Sequence, residues 1–200
     1  MKKKVLNPPN ILSLLRVAFV PIFVAALLLM KGIPVWGRVV PTIIYILTGL
    51  TDMLDGQIAR RYNMVTNFGK FIDALADKFM VISSQIAIVA LLFLEGEATF
   101  GIVLLCVALL ILFRELAVTG IRLVVAGNGG GVVAASMFGK IKTVSQMVGT
   151  VVILLDTIVL PFDTYHITAY VFMGVMAIST VASGLDYFKT YLPYLSEENA

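Results

Sequence analysis

Four aspartates, Asp52, Asp55, Asp73 and Asp77, lie near the adjoining ends of two strongly apolar runs. On a helix, a spacing of three places Asp52 and Asp55 on one face, and a spacing of four does the same for Asp73 and Asp77. The turn between the pairs is short enough to make the two helices antiparallel neighbours, so the two faces can oppose each other. Four carboxylates in one pocket repel, which pushes some toward protonation unless cations neutralise them. Oxygen-only ligands suit hard ions such as Mg²⁺ or Mn²⁺. Two such ions, roughly 3.5–4 Å apart, form the usual clamp for phosphoryl displacement. Residues between the pairs fit the same chemistry. Gly56 and Ala59 remove bulk beside the carboxylates, Arg60 offers a planar fork of donors suited to a diphosphate, and Gly69 opens the second run one turn before Asp73. Taken singly, each small residue is better explained by helix packing in a membrane; the combination is what points to a ligand.

The elements that must position these groups are membrane helices. Of the 200 residues, 60% are hydrophobic and 14% charged, and the mean hydropathy is +0.98. A soluble domain carries roughly 25% charged residues, so this chain's solvent is largely lipid. Crossing a bilayer takes about 20 mainly apolar residues. Six such runs are expected at about 11–30, 36–55 with a polar extension to 61, 68–94, 100–125, 138–160 and 165–187. The first, after Lys2-Lys3-Lys4 and Asn7-Pro8-Pro9-Asn10, lacks a convincing small-residue cleavage site and is read as a retained span. Lys and Arg concentrate at the N-terminus, at 60–70 and at 122–142, which places both termini and these loops in the cytoplasm; Lys31 and Arg38 run against the pattern. The expected architecture is one all-α, six-helix transmembrane domain over 1–200, without internal repeats.

The full string is Asp52-x2-Asp55-Gly56-x2-Ala59-Arg60-x8-Gly69-x3-Asp73-x3-Asp77. It resembles the signature of the CDP-alcohol phosphotransferase family at all eight fixed positions. That resemblance implies six transmembrane helices, commonly in a homodimer, with the active site at the cytoplasmic side of the cell membrane. It implies two Mg²⁺ or Mn²⁺ ions held by Asp52, Asp55 and Asp73, with Asp77 also close to the metals and acting as the general base. It implies CDP contacts from Asp52, Gly56, Ala59, Arg60 and Gly69, with CDP-diacylglycerol as donor.

A second set of charges lies outside the signature: Arg114 and Glu115 inside the fourth run, Arg122 two turns later, and Lys140 and Lys142 opening the fifth. Snorkelling and topology account for Arg122, Lys140 and Lys142 as a default. Arg114, about midway along its run, is a functional residue by default. Glu115 lies about 100° around the helix from Arg114, so the spacing alone does not pair them. Such a basic cluster suits an acceptor bearing its own phosphate. Asn10-x-Leu12-Ser13-x2-Arg16 with Pro21, Arg114-Glu115 with Arg122, and Gly139-Lys140-x-Lys142-Thr143-x2-Gln146 look like the bacterial branch of the family that makes phosphatidylglycerophosphate. The implied acceptor is sn-glycerol 3-phosphate, its phosphate held by some subset of Arg114, Arg122, Lys140 and Lys142.

Competing readings keep the family with another acceptor, as in cardiolipin or inositol-phosphate synthases, or replace it with a small cation-coupled transporter. A transporter more often places its charges near the midplane on broken helices. Nucleic acid is not an expected partner. His166, the lone histidine, is expected to have no clustered ligand partner, Glu95 and Glu97 to lie in a solvated outer turn, Gly127-Asn128-Gly129-Gly130-Gly131 to form a flexible loop, and Ser196–Ala200 a polar tail.

Overall fold

The computed structural model describes residues 8–61, 66–127, 137–159 and 166–195. The glycine-rich loop after Gly127 and the tail from Ser196 fall outside the described residues. Six helices follow one another: α1 (Pro8–Leu29), α2 (Trp36–Arg61), α3 (Asn67–Glu95), α4 (Ala98–Gly127), α5 (Met137–Val159) and α6 (Ile167–Leu195). Each falls on one of the expected apolar runs. The largest difference is at the end of α6, which continues to Leu195 past the expected limit at 187. Asp186, Lys189 and Thr190 dilute the hydropathy there, but Tyr187 and Tyr191 turn inward and are buried, so packing carries the helix beyond its apolar stretch.

Local chemistry sets the sharpest boundary. Thr66, in extended conformation, caps α3 by accepting a hydrogen bond from the Gly69 amide, satisfying one of the orphan donors of a helix start. At its far end Gly96 adopts φ 87°, a left-handed conformation that glycine enters without strain, and closes α3 onto the carbonyls of Leu92 and Phe93. Only Gly96 and Glu97 separate α3 from α4, so these helices run antiparallel side by side.

The helices close into a ring. α1 packs on α2 and α3, α3 on α4, α4 on α6, α6 on α5, and α5 back on α2, while α3 and α5 also touch. The core holds Leu27, Ile88, Leu91, Leu104, Ile111, Leu154 and Met173. At the α5–α6 contact, a Cβ on Gly149 would collide with the Met176 side chain, so glycine there permits the close approach. The outside of the ring is as apolar as the inside: Phe113 and Ile178 are each 72% exposed. Water would not tolerate so continuous an apolar surface on a soluble monomer; lipid does. Among the described residues, five helices are long and apolar enough to cross a membrane, namely α1, α3, α4, α5 and α6. The chain is a multi-pass membrane protein.

Because successive helices alternate in direction, polar groups collect at two opposite ends. One end takes the starts of α1, α3 and α5 with the ends of α2, α4 and α6. It carries the aspartates and the basic cluster. The other end takes Arg38, Glu95, Asp156 and His166.

Candidate active site

The signature spans the end of α2 and the start of α3. Asp52, Asp55, Gly56, Ala59 and Arg60 occupy the last three turns of α2, and their side chains lie outside the described residues. The α3 half is described. Asn10 on α1 donates through Nδ2 to Thr66 Oγ1 at 3.1 Å, and Thr66 Oγ1 in turn accepts from the Gly69 amide at 2.9 Å. A Cβ on Gly69 would collide with Asn10 Oδ1 and stand 3.0 Å from Thr66 Oγ1. Glycine at 69 therefore lets α1 and α3 meet, a packing reason independent of any ligand. One turn on, Asp73 Oδ1 stands 3.5 Å from Arg16 Nη1. The Arg16 side chain is fully buried, whereas that of Asp73 is 47% exposed. Asp77 is exposed a further turn along, while Ala76 and Met80 turn into the core. Thus α3 keeps an accessible carboxylate face beside an apolar one, with a buried guanidinium behind Asp73. The role of Arg16 was not legible in the sequence, where it stood only within a motif; a buried arginine on α1 has meaning only once α3 is packed against it.

The second cluster is built by α4, α5 and α6. Glu115 Oε1 accepts from Arg114 Nη1 at 2.9 Å and also from Lys142 Nζ, so the pair left open by the 100° offset does form. The side chains of all three are only 10–13% exposed. From α6, Ser183 Oγ accepts from Arg114 Nη2 at 2.5 Å, and the Tyr187 hydroxyl accepts from Arg122 Nη2 at 2.6 Å. Neither α6 residue was singled out in the sequence; their spacing of four, facing the arginines of α4, is the signal that was there. The structure brings together Arg114, Arg122 and Lys142. Lys140 stands apart: two positions from Lys142, it turns about 200° around α5 and is exposed.

The two clusters occupy the same level of the ring. Lys78, next to Asp77, donates to Thr119 Oγ1, and Thr119 in turn donates to the Glu115 carbonyl at 2.7 Å. The Asp77 turn of α3 therefore abuts the stretch of α4 between Arg114 and Arg122.

At the opposite end one expectation is corrected and another is refined. His166 is held rather than free: its Nδ1 is 2.5 Å from the single carboxylate of Asp156, and its ring stacks on Phe100 with centroids 4.7 Å apart, though no cluster of three metal-type ligands forms among the described residues. Glu95 is not simply solvated, since it forms an ion pair with Arg38.

A family model described as CDP-alcohol phosphatidyltransferase matches residues 6–183. The chain belongs to this family. Among curated relatives, it is 38% identical to the CDP-diacylglycerol–glycerol-3-phosphate 3-phosphatidyltransferase of Bacillus subtilis (strain 168), covering 96% of this chain and 99% of the relative. It is 38% identical to a probable phosphatidylglycerophosphate synthase of Mycobacterium tuberculosis (strain ATCC 25618 / H37Rv), over 93% of this chain and 82% of the relative. It is 32% identical to the similarly named transferase of Haemophilus influenzae, with 92% of each chain covered. As a CDP-alcohol phosphatidyltransferase the chain is a transferase of phospholipid biosynthesis, and the transporter reading falls away.

Proposed function

We propose that the protein transfers the phosphatidyl group of CDP-diacylglycerol to sn-glycerol 3-phosphate, giving phosphatidylglycerophosphate and CMP. The observation that carries this reading is the Lys78–Thr119 contact, which packs the Asp77 turn of α3 against the Arg114–Arg122 stretch of α4 and so sets the carboxylates and the basic frame at one level. Arg114, Lys142 and Arg122 bring three positive charges against the one negative charge of Glu115, and Lys78 adds another where α3 meets α4, leaving a positive surplus. A phosphate monoester carries about −1.5 to −2 at neutral pH, so it matches this surplus better than a phosphodiester or an uncharged alcohol does. The Bacillus subtilis and Haemophilus influenzae relatives carry glycerol 3-phosphate in their names, which agrees.

Asp52, Asp55, Asp73 and Asp77 would hold two Mg²⁺ or Mn²⁺ ions. The donor chemistry fits: Asp73 and Asp77 are accessible oxygen ligands four residues apart on one helix face. Bound ions supply positive charge against the diphosphate of the donor. The chain's own residues do the rest. Gly56, Ala59, Arg60 and Gly69 receive the CDP moiety. Arg16, buried behind Asp73, holds that carboxylate in place. Asp77 takes the proton of the acceptor hydroxyl as its oxygen bonds to the lipid-bearing β-phosphorus. The bond from that phosphorus to the bridging oxygen breaks, and CMP leaves with the electron pair. The work is mainly positioning and electrostatic stabilisation. An apolar cavity of about 240 Å³ between α2 and α5, lined by Ile46, Gly49, Leu50, Met147 and Val151, opens two residues from Asp52 and suits an acyl chain of the donor.

The same reading makes 1–200 one domain of six spans, with α2 as the sixth, both termini and the site at the cytoplasmic side of the cell membrane, and a homodimer as the working form. The concentration of Lys and Arg at the site end supports that orientation. The test is CMP release by purified protein given CDP-diacylglycerol and Mg²⁺ or Mn²⁺. Release should require sn-glycerol 3-phosphate and fall at least about a hundredfold in Asp77→Asn, the scale of a lost general base. Release driven only by another alcohol would discard the acceptor, and full activity of folded Asp77→Asn would discard the base.

A further inference from the structure

The basic frame is held from α6, and one residue there does more than fill space. The Tyr187 ring lies 5.1 Å from the Arg114 guanidinium carbon and 4.9 Å from that of Arg122. Its hydroxyl accepts from Arg122 Nη2. Tyr187 itself is fixed: it is 6% exposed, and Tyr191 stacks on it with ring planes 6° apart. Arg122, by contrast, is exposed, and no carboxylate pairs with it among the described residues. An arginine on a lipid-facing helix end otherwise samples many rotamers and snorkels to the headgroups. Two guanidiniums brought to one ring repel each other, and a ring quadrupole with a bonded hydroxyl offsets that repulsion. A phenylalanine would fill the same volume and stack equally well on Tyr191. The hydroxyl on Arg122 is the part that packing does not explain.

We propose that Tyr187 is a positioning residue for the acceptor, holding Arg122 beside Arg114 so that the two arginines meet one phosphate monoester and favour glycerol 3-phosphate over unphosphorylated alcohols. This inference rests on the proposed acceptor. Preorganising a long side chain lowers the ordering cost of binding, so the effect belongs in affinity for the acceptor rather than in the chemical step.

The experiment is steady-state kinetics of the full-length protein in lipid nanodiscs with Mg²⁺ present. In Tyr187→Phe the KM for sn-glycerol 3-phosphate should rise about tenfold, the scale of one hydrogen bond to a charged group, while kcat and the KM for CDP-diacylglycerol stay within about twofold. Tyr187→Leu, which also removes the ring, should further reduce the preference for glycerol 3-phosphate over glycerol in kcat/KM. In an Arg122→Ala background the Phe substitution should add nothing, because its action runs through Arg122. A merely structural tyrosine would lower the unfolding midpoint without moving KM. An unchanged KM in folded Tyr187→Phe, or an equal loss with and without Arg122, overturns the proposal. Wild-type protein that does not use glycerol 3-phosphate at all overturns the acceptor assignment first, and this inference with it.

Discussion

Two buried cations explain more of this site than their number suggests. Arg16 is fully buried and faces Asp73, and Lys142 shares Glu115 with Arg114. Burying a charge is tolerated only when it is paired and hydrogen-bonded, so each cation fixes a carboxylate as much as the reverse. Arg16→Lys keeps the charge and loses the fork; we expect the unfolding midpoint to move little while CMP release falls about tenfold, as for a lost charge-assisted contact. Activity equal to wild type would show that Asp73 needs no such support. Glu115→Gln leaves two cations without their counter-charge, and the expected cost is about 3 kcal/mol, read as a lower midpoint in an SDS titration. At this scale the sequence was legible wherever spacing along one helix was enough. The i, i+4 spacing of Asp73 and Asp77 pointed to one face of α3, and both carboxylates are accessible there. Arg16, Ser183 and Tyr187 did not stand out, because their meaning lies in a neighbouring helix far along the chain.

The helices themselves were easier to read than their seams. A lipid solvent demands long apolar runs and internally satisfied backbone, and six runs gave six helices. What hydropathy could not give is which helices touch: the ring order, with α6 between α4 and α5, follows from side-chain fit. Gly69 shows the difference. The family resemblance implies a nucleotide contact there, and the structure adds that a methyl group would strike Asn10. Gly69→Ala should therefore cost about 1–3 kcal/mol from overpacking, and less in an Asn10→Ala background, where the obstacle is gone. Unfolding midpoints of the two single variants and the double variant check this; strict additivity would remove Asn10 from the explanation. Thr66→Ala, which strips the cap of α3, should cost about 1 kcal/mol by the same measurement.

Across the whole molecule, alternating helix direction sorts polar chemistry to two ends. One end has the aspartates and the basic frame; the other has Arg38 with Glu95 and Asp156 with His166, around a cavity of about 120 Å³. The second pair was invisible in the sequence because ten residues and a turn separate its members. Its distance from the signature makes it a control: His166→Ala should lower the unfolding midpoint and leave both KM values unchanged, and an altered KM would mean that the two ends are coupled. At this scale everything converges on the proposed acceptor, glycerol 3-phosphate. The most direct measurement is transfer of radiolabelled sn-glycerol 3-phosphate into chloroform-extractable lipid by the purified protein with CDP-diacylglycerol and Mg²⁺ or Mn²⁺. Label should enter a lipid bearing a phosphate monoester, in step with CMP formation, and should be lost in Asp73→Asn. Steady CMP release with no label entering lipid would contradict that acceptor assignment.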